Sequence, residues 1–156
     1  LGRGVLFRPK PKKEGELMRY RSSKDFKIFE EEVNYWIDFF KLYNWYIRTI
    51  FINSEDDEEF NFDTERDAWS IINHKDHMSL ICLNKKNLNF KELNTDYELR
   101  MIAFHEVCEV LLFPLALLGE DTYSENVIVK NTHIIINHLE NSVFKRNYEE
   151  RKNKNT

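Results

Sequence analysis

The stretch Met101-Ile102-Ala103-Phe104-His105-Glu106-Val107-Cys108-Glu109-Val110-Leu111-Leu112-Phe113 decides how this chain is read. Apolar residues run through it almost unbroken, which describes a helix buried on most sides. Into that helix the sequence sets one histidine and two carboxylates. Burying such groups is costly unless they are paired or bind a metal ion. The helix should begin at Thr95-Asp96-Tyr97-Glu98, a capping box in which the threonine accepts from the N3 amide and Glu98 reaches back. It is expected to run from about Asp96 to Phe113. Pro114 should bend or end it, and Gly119 should close the apolar continuation.

Outward from this helix, the remaining elements follow from periodicity. Ser22-Ser23-Lys24-Asp25 is a helix start. Phe26, Phe29, Val33, Trp36, Ile37, Phe40 and Tyr43 then recur at three- and four-residue spacing, predicting an amphipathic helix that stops near Asn44. The β-branched and aromatic run Trp45–Ile52 predicts a strand. Asp67–Ile72 and Met78–Leu83 predict two more, joined by a turn containing His74 and His77. The acidic run Ser54–Glu59 reads as a solvated loop, without the glycine and regular spacing of an EF-hand. A last helix should begin near Ser124 or Glu125 and carry Ile134, Ile135, Ile136, Leu139, Val143 and Phe144. The fold class is α+β: an N-terminal helix, a three-stranded sheet, the motif helix and a C-terminal helix gathered on one sheet. Residues 1–20 are expected as a flexible tail, 21–146 as the domain and 147–156 as a polar tail. Residues 1–17 hold three of the four glycines and two of the three prolines. That bias suggests an expression remnant or loose tail, with a natural start near Met18.

Composition narrows the function classes. With 156 residues, 42% of them apolar and 32% charged, the chain can fill one globular core. A net charge of −4 gives no global reason to expect nucleic-acid binding, although Arg3, Arg8, Lys10, Lys12 and Lys13 cluster at the N-terminus. Cys82 and Cys108 both sit in apolar runs, so a reducing compartment, the cytoplasm, is expected. The apolar stretch Val107–Leu118 is broken by Glu109 and Pro114. It reads as too short to cross a bilayer, and no membrane partner is expected.

The chemistry lies at His105-Glu106-Val107-Cys108-Glu109. Residues four apart share a helix face, so His105 and Glu109 can reach one ion. Glu106 is offset by about 100° and can sit beside that ion without ligating it. This is H-E-x-x-H with glutamate in place of the second histidine. Zinc accepts oxygen ligands, and a carboxylate widens the choice toward Mn²⁺ or Fe²⁺. Downstream candidates for a third ligand are Glu125, His133, His138 and Glu140. His133 is favoured, because it shares a face with Asn137 and Glu140 and follows Glu109 by 24 residues. The set His105, Glu109 and His133 has the inventory of a His₂Glu zinc site. The alternative is a hydrogen-bonded core pair of histidine and glutamate without metal. Cys108 reads as a small buried side chain. His74, His77 or Tyr123 could stabilise a tetrahedral intermediate if they overhang the cleft.

The layout resembles the small zincin-like metallopeptidases of phages and prophages, distant relatives of the SprT and ImmA/IrrE types. Trp36–Trp45 is similar to the end of that family's first helix entering its first strand. Asp67–Ile71 and Met78–Leu83 are similar to its next two strands. Ala103–Leu112 is similar to its H-E-L-x-H-x-L-L helix, and Thr132–Glu140 to its final helix. The resemblance covers roughly residues 24–145. It implies a minimal zincin fold, His105 as a ligand, Glu106 as the general base, a zinc ion, and a protein or peptide substrate. For a phage-encoded chain it implies the host cytoplasm. The chain departs at Glu109 and at Thr132-His133, where the family places an acidic ligand. Glu140 is then the fallback ligand. A catalytically degenerate zincin-fold module that holds a partner protein is the other function these departures allow.

Overall fold

The computed structural model describes residues 19–53, 66–87 and 95–154, apart from the side chains of Arg19, Asn87 and Thr95. The acidic run Ser54–Glu59 and the basic N-terminal cluster lie outside the described residues. The architecture is α+β, in the element order expected.

Helix α1 (Ser23–Phe39) starts where the sequence places it. The Asp25 amide donates to Ser22 Oγ at 3.2 Å, and the Ser22 amide donates to Asp25 Oδ2 at 2.6 Å, a reciprocal capping box. Its inner face carries Phe29, Val33 and Trp36, all fully buried. The helix ends short of Asn44. The Lys41 amide donates to the Asp38 carbonyl and the Leu42 amide to the Ile37 carbonyl, with Lys41 left-handed at φ 56°. This is a Schellman closure with lysine where glycine is the usual residue. Tyr43 falls beyond it and is exposed, not packed in the core.

Strands β2 (Tyr46–Ile52), β3 (Ala68–Asn73) and β4 (Met78–Asn84) form one sheet in the order β2-β4-β3. A turn containing His77 at φ 49° joins β3 to β4 as an antiparallel hairpin. β2 pairs with β4 in parallel, with Thr49 opposite Ile81. β4 is therefore central, and Ile81, Cys82, Leu83 and Asn84 are all buried. β3 is left on the side toward the motif helix. A small antiparallel pair joins β1 (Arg19–Tyr20) to β5 (Lys86–Asn87). Arg21 pins this entry: its guanidinium donates to the Asn84 and Lys86 carbonyls and to Asp67 Oδ1 at 2.8 Å. Residues 19 and 20 thus belong to the fold and not to the tail expected for 1–20.

Helix α2 (Thr95–Gly119) is the motif helix. It packs on α1 and β3 and buries Leu99, Ala103, Phe104, Val107, Cys108 and Val110. Phe104 meets Trp36 edge-on at 4.6 Å between ring centres, in the middle of the core. The capping box expected at Thr95 involves a side chain outside those described. Pro114 does not end the helix. It lacks an amide hydrogen for the Val110 carbonyl, yet the helix continues to Gly119 because the next helix, α3 (Glu125–Leu139), folds back along it. Tertiary packing overrides the local breaker there. The segment Asp96–Gly119, 24 residues whose most apolar window has mean hydropathy 1.9, is consequently long and apolar enough to cross a membrane by length and composition; 33% of that window is buried inside the fold. The expected break at Glu109 and Pro114 is therefore absent, and the stretch is not too short for that length test.

Helix α3 (Glu125–Leu139) starts after Ser124 as expected. It passes into a π-helical turn (Glu140–Phe144) and then α4 (Lys145–Lys154). The polar segment 147–154 is therefore helical. Arg151 explains why: it reaches back to the fully buried Glu32 and stacks over Tyr35 at 4.1 Å. Glu32 also accepts from Trp36 Nε1 at 2.7 Å and from Arg100 at 2.7 Å. One buried carboxylate thus joins α1, α2 and α4. The π turn also matters to packing. In an unbroken α-helix Ile136 and Phe144 would stand about 80° apart around the axis. The wider turn lets both be fully buried.

Candidate metal centre

His105 and Glu109 stand one turn apart on α2, where its outer face meets α3. Their facing atoms, His105 Nε2 and Glu109 Oε1, are 3.7 Å apart. His133, from α3, brings its Nε2 to 3.6 Å from the same carboxylate oxygen. The two imidazole rings lie 5.4 Å apart, and the ligand atoms of all three residues fall within 4.8 Å of one another. The three residues favoured from sequence are thus brought together, and the group could hold a metal ion.

The donor set fits such an ion. Two zinc ligands at about 2.0–2.1 Å in a tetrahedral arrangement end about 3.4 Å apart, close to the spacing found here. Each imidazole is also held from behind. His105 Nδ1 lies 2.7 Å from Glu140 Oε1, and His133 Nδ1 lies 2.9 Å from the Val129 carbonyl. In the neutral, metal-binding form of each ring, Nδ1 would donate to this oxygen and leave the Nε2 lone pair directed toward Glu109. This outer hydrogen bond is the usual means by which a metal-binding histidine is oriented.

The other candidates are placed elsewhere. Glu140, the fallback ligand, sits behind His105 and not among the converging atoms. His138 is exposed, and Glu125 is eight residues N-terminal of His133 along α3. His74 and His77 are exposed at the β3–β4 turn, whereas Tyr123 lines the cleft beside the cluster.

Glu106 is not among the converging ligand atoms and is 5% exposed. Ser70 Oγ, from β3, donates to its Oε2 at 2.8 Å. Sequence reading missed this partner; the available signal was a lone hydroxyl inside the apolar strand Trp69-Ser70-Ile71. Burial, then the charge of Glu109, pushes the Glu106 carboxyl up to about 8, against the opposing pull of Ser70 and His105. His105 feels burial most strongly, in the downward direction. Its hydrogen bonds to Glu109 and Glu140 and the nearby carboxylate charges together outweigh that and raise it to about 10. Burial raises the Cys108 thiol, consistent with an inert core side chain.

A cleft of about 460 Å³ opens beside the cluster, between α2, α3 and β3. Glu109, His133 and Ser70 stand on its lining, so a molecule in the cleft would touch the convergent group directly. Comparison with protein-family models, curated proteins and solved structures found no match to this chain.

Proposed function

We propose that the chain is a metal-dependent peptidase of zincin-like type, with His105, Glu109 and His133 as the ligands and Glu106 as the general base. The observation that carries this reading is the convergence of two Nε2 atoms on Glu109, each imidazole braced at Nδ1, beside a cleft. Zn²⁺ suits the His₂Glu inventory, and the added carboxylate admits Mn²⁺ or Fe²⁺. When bound, such an ion polarises a peptide carbonyl, acidifies water and favours the ionised form of Glu106.

The chain's own residues supply the rest. Glu106 takes a proton from the attacking water and returns it to the departing amine as the C–N bond breaks. Ser70 fixes one oxygen of Glu106, which holds the carboxylate plane in place. The substrate is a protein or peptide, reached in the cytoplasm.

Two measurements test this. Elemental mass spectrometry of the purified protein should find near-stoichiometric metal that falls in His133→Ala. Glu106→Gln should keep the metal and lose hydrolysis of a casein or peptide-library substrate. Metal-free wild type after incubation with each ion would overturn the reading. A second reading is a partner-binding module on the same fold. Exposed Leu115, Leu118 and Val127 near the α2–α3 turn favour it. It predicts partner binding that Glu106→Gln leaves unchanged.

A further inference from the structure

The cleft beside the cluster is a groove with two chemically different ends. Glu109, Phe113 and Ala116 follow one another down one face of α2, and Glu120 lies just past its end. His133, Val129 and Glu125 do the same on the facing side of α3. The helices run antiparallel, since Glu109 meets His133 while Gly119 lies against Ile128. The convergent cluster therefore closes one end, and Glu120 and Glu125 flank the other, beside the Tyr123 ring. Between them the walls are apolar. No lysine or arginine is among the described residues that line the groove.

The length follows from helix rise. At 1.5 Å per residue, Glu109 to the end of α2 at Gly119 is about 15 Å, and Glu125 to His133 is about 12 Å. An extended peptide advances about 3.3–3.6 Å per residue, so about four residues span the groove. The apolar middle favours large apolar side chains. The carboxylate pair and phenol ring at the far end favour a cation.

We propose that this groove binds an extended peptide with a large apolar side chain next to the position held at the cluster and a lysine or arginine about four residues away. The proposal deepens the peptidase reading and rests on it for which end of the groove holds the reacting bond. Its preference for sequence is a property of the groove alone.

The test uses labelled Gly/Ser-host peptides titrated by fluorescence anisotropy against the full chain carrying Glu106→Gln, with and without added Zn²⁺. One pair of peptides carries Leu-Leu with Lys four residues to either side. A second pair has Glu in place of Lys, and a third has Ser in place of Leu. The better Lys peptide should bind about tenfold tighter than its Glu counterpart, and the Ser peptides should bind more weakly. The double variant Glu120→Lys/Glu125→Lys should reverse the Lys–Glu order; both positions are exposed, so the fold should be kept. Equal binding of Lys and Glu peptides, no binding of any, or an unchanged order in the double variant would overturn the proposal. Selective binding without cleavage by the wild-type chain would instead remove the peptidase reading and leave the groove assignment standing.

Discussion

Removing the carboxylate behind His105 should weaken metal binding without removing a ligand. Glu140 Oε1 lies 2.7 Å from His105 Nδ1, and the two side chains are only 18% and 25% exposed. A charge-assisted hydrogen bond in such a setting is worth about 1.5–3 kcal/mol. At about 1.4 kcal/mol per tenfold, Glu140→Ala should weaken Zn²⁺ binding about 10- to 100-fold. Glu140→Gln keeps an acceptor oxygen but loses the charge. A neutral bond is worth about 1 kcal/mol, so this variant should fall between wild type and alanine. His133→Ala removes a ligand itself and should lose more than either. Competition with a chromophoric chelator at fixed pH gives the three affinities, and circular dichroism checks that each variant is folded. If Glu140→Ala held zinc as tightly as wild type, the bracing argument would fail. If Glu140→Gln lost as much as His133→Ala, Glu140 would be a ligand and not a brace.

Other consequences are testable on the same protein. His105 and Glu106 both hold protons more tightly in the folded chain, His105 at about 10 against 6.5 and Glu106 at about 8 against 4.5. The metal-free folded state then binds more protons than the unfolded state across those windows, so stability falls as pH rises through them. Chelator-treated protein should melt lower at about pH 9 than at about pH 6, and a flat or rising profile would refute the assignment. Glu32→Ala leaves Arg100 and Arg151 without their buried partner and should cost about 3–5 kcal/mol in urea unfolding; a loss below about 1 kcal/mol would show the network to be dispensable. Lys41→Gly relieves a left-handed lysine and should raise the melting temperature, since the exposed contacts with Asp38 and Tyr43 that it loses are worth little; a lowered melting temperature would contradict this.

The parts legible in the sequence are those set by short-range periodicity and caps. The α1 start at Ser22, the three strands and the α3 start could all be read that way. So could the i, i+4 placement of His105 and Glu109. His133 was reachable because it is a histidine on a helix face shared with other polar groups, at a loop-and-turn distance from Glu109. What could not be read depends on contacts between distant segments. Pro114 looks like a stop until α3 is seen lying along the helix that continues through it. Residues 147–154 look like a polar tail because Arg151 meets Glu32 across 119 positions of chain. Glu140 looks like a ligand, and only the three-dimensional placement turns it to the rear of His105. Ser70 shows in the sequence only as a hydroxyl inside an apolar strand; its partner is set where β3 passes α2.

The Glu32 junction also has a consequence for the order in which the chain can be finished. Its partners emerge far apart during synthesis: Trp36 almost at once, Arg100 after the sheet strands, and Arg151 only when nearly all the described fold has left the ribosome. Domains tend to fold as units while the chain grows. Until Arg151 arrives, α1 and α2 must close on a carboxylate that has a single guanidinium beside it. Packing of Trp36 against Phe104 would then be held back from its final form, and α4 would act as the latch that completes assembly. A nascent chain stalled before residue 151 would remain looser than one stalled after it, a distinction that pulse proteolysis of stalled chains can resolve.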